Sequence, residues 1–184
     1  MPSADERQLI LDVKDGNHDA FRILVERYMK HAYNVAYGFV SDHDEAEDIA
    51  QDSFVRIYQS IRSFRGDAEF STWLYRIVMN ASLNKLKQRK NRSQRETPLH
   101  KSFTLIPQMV MTHSLQPDVR NHIERALHEL PTLQRAVVIL RHVNGLSTKQ
   151  VSSILRCSEG TVKTHLHRGI KKMKRLLSFL DEED

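Results

Sequence analysis

The sequence is poor in the residue types on which disulfide scaffolds, zinc centres and β-structures depend. Cys157 is its single cysteine, which excludes an intrachain disulfide and a cysteine-based zinc site and fits a reducing compartment. Only 6 of the 184 residues are glycine and 5 are proline, and aromatic residues make up 7%. This composition favours helices over a β-sandwich or a β-barrel.

Long apolar stretches are missing as well. The longest apolar run is 136–140, far shorter than the roughly 20 residues that a membrane-spanning helix needs. The beginning of the chain mixes acidic and basic side chains without a long apolar segment, unlike a secretory signal. We therefore expect a cytoplasmic protein without direct membrane insertion.

Charge is segregated along the chain. Lys and Arg total 28 against 23 Asp and Glu, so the net charge of +5 is modest and its distribution is more informative than its sum. The segment 42–52 carries six acids and no Lys or Arg, whereas 85–95 and 161–175 each carry six Lys or Arg and no acid. We expect separate surfaces of opposite sign.

Apolar residues recur at helical spacing in most of the chain, which predicts an all-α protein. Residues 92–117 interrupt this pattern with three prolines and no sustained period, as expected of a linker. We therefore predict two small helical domains, 1–91 and 118–180, joined by a flexible segment, 92–117. Its apolar residues either grip a partner or pack on the chain's own domains: Phe103, Leu105, Ile106, Met109, Val110 and Met111.

Residues 146–169 have the layout of a helix-turn-helix. Ser147 and Gln150 form a capping-box pattern that opens a short helix, and a tight turn containing Gly160 leads to a longer one. The second helix of such a motif enters the major groove, where residues near its start meet base edges. The basic run suits phosphate contacts. The candidate residues are Thr161, Lys163, Thr164, His165, His167, Arg168 and Lys171.

The simpler alternative for this segment is a three-helix bundle with a solvated basic face. Cys157 is then a small turn residue, and the alternative for it is a redox sensor. His165 and His167 stand two residues apart, so their side chains point apart on a helix, which argues against a shared metal site.

A second polar surface is predicted on the fourth helix. Aromatic rings stack on unpaired bases and cations hold the backbone, so such a surface is typical of single-stranded DNA binding. The preceding segment 64–71 can wall a pocket for a flipped base. For Trp73, the aromatic residue of this surface, the alternative is burial in the core. The residues of this face lie 3, 4, 4 and 3 positions apart: Trp73, Arg76, Asn80, Asn84 and Lys87.

The acidic segment 42–52 predicts a charged helix face. Acids near a helix start are favoured by the helix dipole, which gives a purely structural alternative. A carboxylate metal site would need inward-facing ligands with histidine at fixed spacing, and the histidine here, His43, lies in the first turn. In a basic protein a segregated acidic face favours docking to a basic protein surface.

These three motifs, in this order, resemble the extracytoplasmic-function sigma factors of bacterial RNA polymerase over residues 16–90 and 118–177. Two departures leave the sequence of the upstream promoter element open: His165 stands where many relatives carry arginine, and Gly169-Ile170 replace a common Ala-Arg. The resemblance is carried by Asp19-Ala20-Phe21, Leu24, Val25, Arg27-Tyr28, Ala46-Glu47-Asp48, Gln51-Asp52, Phe54, Phe64-Arg65-Gly66, residues 70–77, Asn80, Leu130-Pro131, Gly145-Leu146-Ser147, residues 160–163 and His167-Arg168.

The resemblance implies a role for each motif. The helix from Thr161, with the seven candidates given above, would read the minus-thirty-five element. The clamp helices of the polymerase's largest subunit would bind Asp44, Glu45, Asp48, Gln51 and Asp52. The minus-ten element would be captured, and its flipped base held, by Phe64, Arg65, Gly66, Asp67, Phe70, Ser71, Thr72, Trp73, Arg76, Asn80, Asn84 and Lys87.

The resemblance also implies the partners. They are core RNA polymerase, including the flap of its second-largest subunit, promoter DNA, and an anti-sigma factor that holds the protein inactive, in some cases at the inner membrane. The linker would thread the active-site channel and the RNA exit path. No catalysis, cofactor or metal of the chain's own is implied.

Two other functions are the alternatives. A stand-alone helix-turn-helix regulator would need a dimer seam for palindromic sites. A metal- or nucleotide-dependent enzyme, suggested by the 10 histidines, would need a glycine-rich phosphate loop or a histidine pair at helical spacing within a plausible site. The sequence has no obvious seam and neither of these motifs.

Overall fold

The structure is a computed structural model and describes residues 4–95 and 117–181. These residues form helices and contain no β-strand, which confirms the all-α fold class. The chain divides into two compact units, residues 1–103 and 104–184. The predicted domain limits stay a prediction, and most of the predicted linker 92–117, including its apolar residues, lies outside the described residues.

The first unit consists of four helices: α1 (Ala4–Lys14), α2 (His18–Val40), α3 (His43–Ser60) and α4 (Phe70–Arg95). A 3-10 turn (Ile61–Ser63) follows α3, and residues 64–69 form the loop before α4. Asn17 caps α2 by accepting a hydrogen bond from the Ala20 amide, and Asp42 caps α3 through the Glu45 amide. α3 therefore begins at His43.

Helix α2 organises this unit by packing against α1, α3 and α4. Its Leu24 and Phe39 are fully buried, as are Ile57 of α3 and Leu74 of α4. Each such side chain contributes about 1.5–3 kcal/mol of burial free energy. Because α4 is held along one side by α2 and α3, its other side stays open to solvent.

The second unit contains α5 (Pro117–His128), α6 (Thr132–Val138), α7 (Thr148–Leu155) and α8 (Glu159–Leu176). A π-helical turn (Ile139–Val143) continues α6, and a 3-10 turn (Ser178–Asp181) follows α8. The predicted capping box on α7 is confirmed, because Ser147 and Gln150 exchange side-chain and backbone hydrogen bonds. Val151 of α7 and Val162 of α8 are fully buried, which fixes the two helices together.

The turn between α7 and α8 differs from the prediction that placed Gly160 in it. The left-handed residue is Arg156, with φ 53°, and Ser158 caps α8 by accepting from the Thr161 amide at 3.0 Å. Because the cap starts the helix at Glu159, Gly160 is the second residue of α8. Helix α8 thus begins two residues before Thr161, the first residue after the predicted turn.

Gly169 marks a close crossing of α8 over α6. A Cβ added there would lie 2.9 Å from Cγ2 of Val138, which is buried, and 3.6 Å from the Gln134 carbonyl oxygen. We expect Gly169→Ala to lower the unfolding free energy of the second unit by about 1–3 kcal/mol, the usual range for overpacking. Urea denaturation followed by circular dichroism checks this.

Gly160→Ala is the matched control, because its Cβ would meet only Ser158 Oγ, at 3.6 Å. Its stability should be unchanged or raised by up to about 1 kcal/mol, since alanine favours helix over glycine. Trp73, the single tryptophan, reports on the first unit and should keep its unfolding transition in both variants. Equal losses in the two variants would contradict the close crossing.

Candidate nucleic-acid interface

The loop before α4 is anchored by an aromatic cluster. Phe64 stacks on Trp73 with ring centroids 5.0 Å apart, and Phe70 meets Trp73 edge-on at 6.0 Å. Trp73 is half-buried, with one face of the ring packed on Phe64. Arg65, Gly66 and Asp67 are exposed at the loop tip.

Three residues of the predicted minus-ten set have buried side chains. Phe64 is 9% exposed, Phe70 is 0% exposed and Thr72 is 3% exposed. Phe70 and Thr72 both belong to the first turn of α4, which begins at Phe70. The side chains of Phe70 and Thr72 therefore pack inside the unit, and Ser71, which stands between them in the sequence, is half-buried.

The exposed side of α4 carries the polar stripe that the spacing predicts. Asn80, Asn84 and Lys87 are exposed, and Arg76 is half-buried. At the basic end of α4, Arg89 makes contacts within the unit. Arg89 lies 3.3 Å from the Glu45 carboxylate and donates to the Val40 carbonyl at the end of α2.

Helix α3 carries the acidic stripe on its outer side. Asp44, Asp48, Gln51 and Asp52 are exposed there. Glu45 differs, because its half-buried carboxylate faces α4, 3.9 Å from Lys85 as well as 3.3 Å from Arg89. Because the Glu45 carboxylate is paired with Lys85 and Arg89, less of it is accessible to a partner than of the other acids on α3.

Val55 is a surface residue that the sequence analysis missed. It is 54% exposed on α3 and lies one turn beyond Gln51 and Asp52, within the acidic stripe. The available signal was the spacing 44, 48, 51 and 55, which places an apolar side chain among acids. Val55 is thus a single exposed apolar side chain within the acidic stripe.

Helix α8 presents its basic side to solvent. Lys163, Thr164, His167, Arg168 and Lys171 are exposed, whereas Thr161 and His165 are half-buried. The Thr161 hydroxyl lies 2.9 Å from the cap Ser158, and the Thr164 hydroxyl donates to the Gly160 carbonyl. The exposed candidates whose side chains make no such contact are therefore Lys163, His167, Arg168 and Lys171, while Glu159 adds an exposed acid at the start of α8.

The described ranges contain neither a cluster of three or more metal-ligating side chains nor a helix long and apolar enough to cross a bilayer. Cys157 lies half-buried in the turn before α8.

Comparison with known families identifies both units. Residues 24–92 match Sigma-70 region 2, and residues 120–173 match Sigma-70 region 4. The first match spans α3, the loop and α4, and the second contains the helix-turn-helix of α7 and α8.

Whole-chain relatives agree with these matches. The chain is 33% identical to the ECF RNA polymerase sigma factor SigW of Bacillus subtilis, with 95% of this chain and 97% of the relative covered. It is 32% identical to the ECF RNA polymerase sigma-E factor of Haemophilus influenzae, with 89% and 90% covered.

Solved structures show the same fold. The complex of CnrH with the cytosolic domain of CnrY gives a TM-score of 0.70 at 22% identity, with 94% of this chain and 97% of that chain covered. The sigma factor RpoE of Bartonella quintana, solved with the anti-sigma factor NepR, gives 0.70 at 24%, with 86% and 96% covered. The identity and coverage of the sequence relatives establish that this chain belongs to the ECF sigma factors of RNA polymerase.

Proposed function

We propose that this chain directs core RNA polymerase to promoters through three surfaces: the α3 stripe, the α4 face with its loop, and the start of α8. The observation that carries the proposal is the sorting of charge. The exposed charged residues of 44–52 on α3 are all acids, whereas those of α4 and those of α8 beyond Glu159 are all cations or histidine. Opposite charges on separate faces suit a protein partner and a nucleic acid at the same time.

The α3 stripe is the proposed contact with the clamp helices of the largest subunit. On docking, the exposed Val55 side chain would be removed from solvent at the centre of the contact. The carboxylates of Asp48 and Asp52 would attract a basic partner surface and favour one orientation of it. The internal pairs of Glu45 with Lys85 and Arg89 hold α3 and α4 in fixed relation. Polymerase binding thereby positions the DNA-binding helix.

The α4 face and its loop are the proposed site of minus-ten capture. Asn80 and Asn84 offer donors and acceptors to unpaired base edges, and Trp73 offers a partly exposed ring. Extruding a base requires a few kcal/mol of unstacking and unpairing energy, which capture offsets. The chain thus opens DNA by binding, and the polymerase supplies the chemistry.

The exposed start of α8 is the proposed reader of the minus-thirty-five element. Each unit alone would bind DNA weakly, and polymerase would hold both at a fixed spacing, so that linkage raises the effective concentration of the second contact.

We also propose contact with the polymerase flap, action in the bacterial cytoplasm, and control by an anti-sigma factor, which can tether the chain to the inner membrane. In support, the sigma factor RpoE of Bartonella quintana was solved with the anti-sigma factor NepR, and CnrH was solved with the cytosolic domain of CnrY.

Charge reversal on the α3 stripe tests the polymerase contact. The double variant Asp48→Arg, Asp52→Arg should weaken binding to core polymerase by about tenfold, because like charges facing each other across an interface are strongly unfavourable. Binding is measured by fluorescence anisotropy with labelled full-length chain, at two salt concentrations.

Asp19→Arg is the control, since Asp19 is an exposed acid on α2 of the same unit, with 84% of its side chain accessible. It should bind polymerase as the natural chain does. If the α3 double variant also retained full affinity, the stripe would not be the docking surface.

A further inference from the structure

Lys14, the last residue of α1, makes a long-range contact with the residue that begins the loop before α4. Its ammonium donates to the Phe64 carbonyl oxygen at 2.7 Å and lies 5.9 Å from the centre of the Phe64 ring. Among the residues that the structure describes, no acid pairs with Lys14. Neither the sequence pattern nor the family resemblance assigned this lysine a role.

Both backbone polar groups of Phe64 are hydrogen-bonded. Its amide donates to the Ile61 carbonyl at 3.0 Å, a local contact that closes the 3-10 turn, and its carbonyl accepts from Lys14. That carbonyl belongs to the peptide unit that leads into Arg65 and the exposed loop tip. Because a peptide unit is planar, fixing this oxygen also fixes the direction in which the chain leaves Phe64.

The Phe64 ring connects the lysine contact to the proposed base-capture site. It stacks on Trp73 with 28° between the ring planes, and it meets Phe70 nearly at a right angle with centroids 6.0 Å apart. Trp73 is the half-buried ring that the proposed function offers to an unpaired base. A shift of Phe64 would therefore move the surface on which that base stacks.

Helix α1 is itself held against the rest of the unit, so Lys14 acts from a fixed point. The Tyr28 hydroxyl of α2 donates to the buried Glu6 carboxylate, and Arg27 pairs with Asp5 at 3.0 Å. Burial, followed by the hydrogen bond to Glu6, raises the pKa of Tyr28, so the phenol stays a donor at neutral pH. The two contacts fix the first half of α1, and the lysine contact fixes its end.

We propose that Lys14 is a positioning residue for promoter opening, which holds Phe64, and through it the Trp73 ring, in the geometry that receives the flipped base. The inference rests on the proposed function and gives α1 a part in it. Preorganised groups bind more tightly because they lose less freedom on binding. The alternative is a cation that only stabilises the end of α1 through the helix dipole, without effect on the opening step.

The test compares Lys14→Met with Lys14→Arg in the full-length chain bound to core polymerase. Opening is followed with a 2-aminopurine base in the minus-ten element of a promoter at which the chain directs initiation. Lys14→Met removes the donor and should slow opening about three- to tenfold, as expected for one lost hydrogen bond, with polymerase affinity unchanged. Lys14→Arg keeps a cationic donor and should stay within about twofold of the natural chain. Lys30→Met, which changes an exposed cation on α2, is the matched control and should open at the natural rate.

Two further readouts separate positioning from other roles. In the free chain, Lys14→Met should increase the quenching of the single tryptophan, Trp73, by acrylamide, whereas Lys14→Arg should not. The salt slope of promoter binding should be the same in all variants, since no phosphate contact is removed. A slope lowered by about one in Lys14→Met would indicate direct contact with the DNA backbone and overturn the proposal. All variants are compared at a temperature at which circular dichroism shows them to be folded.

The outcomes separate this inference from the function on which it rests. If Asn80→Ala slowed opening while Lys14→Met behaved as Lys30→Met does, only the positioning role would be overturned. If neither Asn80→Ala nor Lys14→Met slowed opening, the base-capture function would fail and the positioning role with it. Equal slowing in Lys14→Met and Lys14→Arg would assign the effect to lost packing rather than to the donor, and would overturn the positioning role too.

Discussion

Replacing Asn80 with alanine should slow promoter opening by about 10- to 100-fold, the loss expected for 1–3 kcal/mol of base-edge contact. Asn80 is exposed on α4, one turn beyond Arg76 and outside the buried core. Its removal deletes a hydrogen-bonding amide without opening a cavity, so polymerase binding should stay unchanged. Opening is followed by the fluorescence of a 2-aminopurine base in the minus-ten element.

Asn80 is a sharper probe than its neighbour Trp73. Trp73 contacts Phe64 and Phe70, so truncating it would disturb the loop as well as any base contact. Gln59→Ala serves as the control, since Gln59 is an exposed amide at the end of α3 in the same unit. Equal loss of opening and of polymerase binding in Asn80→Ala would contradict the base-capture role.

Arg168→Ala should reduce occupancy of the minus-thirty-five element by about 10- to 100-fold, the range expected when one specific base contact is lost. Arg168 is exposed on α8, and an arginine can bind a guanine edge through two hydrogen bonds. Lys163→Ala should act differently, because a phosphate contact weakens all sequences alike and lowers the salt slope by about one. Footprinting of the holoenzyme on duplex promoters measures both effects.

The control for these two variants is Arg125→Ala. Arg125 is an exposed cation on α5 of the same unit, outside the basic run 161–175. Its footprint should match that of the natural chain. An unchanged upstream footprint in both Arg168→Ala and Lys163→Ala would reject α8 as the reading helix.

The sequence predicted those features that depend on local physics. Helical spacing of apolar residues gave the elements, and Ser147 with Gln150 gave the start of α7, because a cap is decided within four residues. The exposure of Asn80, Asn84 and Lys87 followed from the same spacing. These signals require no knowledge of how the helices pack.

The features that escaped prediction depend on contacts between distant segments. Glu45 was grouped with the outward acids, but packing of α3 on α4 brings it to Lys85 and Arg89. The contact of Lys14 with Phe64 joins residues 50 positions apart. The burial of Phe70 and Thr72 in the first turn of α4 likewise depends on packing between segments, which local spacing does not reveal.

The most direct test of the account is run-off transcription with core polymerase on a promoter library, with and without this chain. The account predicts that the chain confers initiation at a defined set of start sites, and that Asn80→Ala and Arg168→Ala each reduce transcript yield from them. Absence of stable association with core polymerase, together with unchanged start-site selectivity, would contradict it.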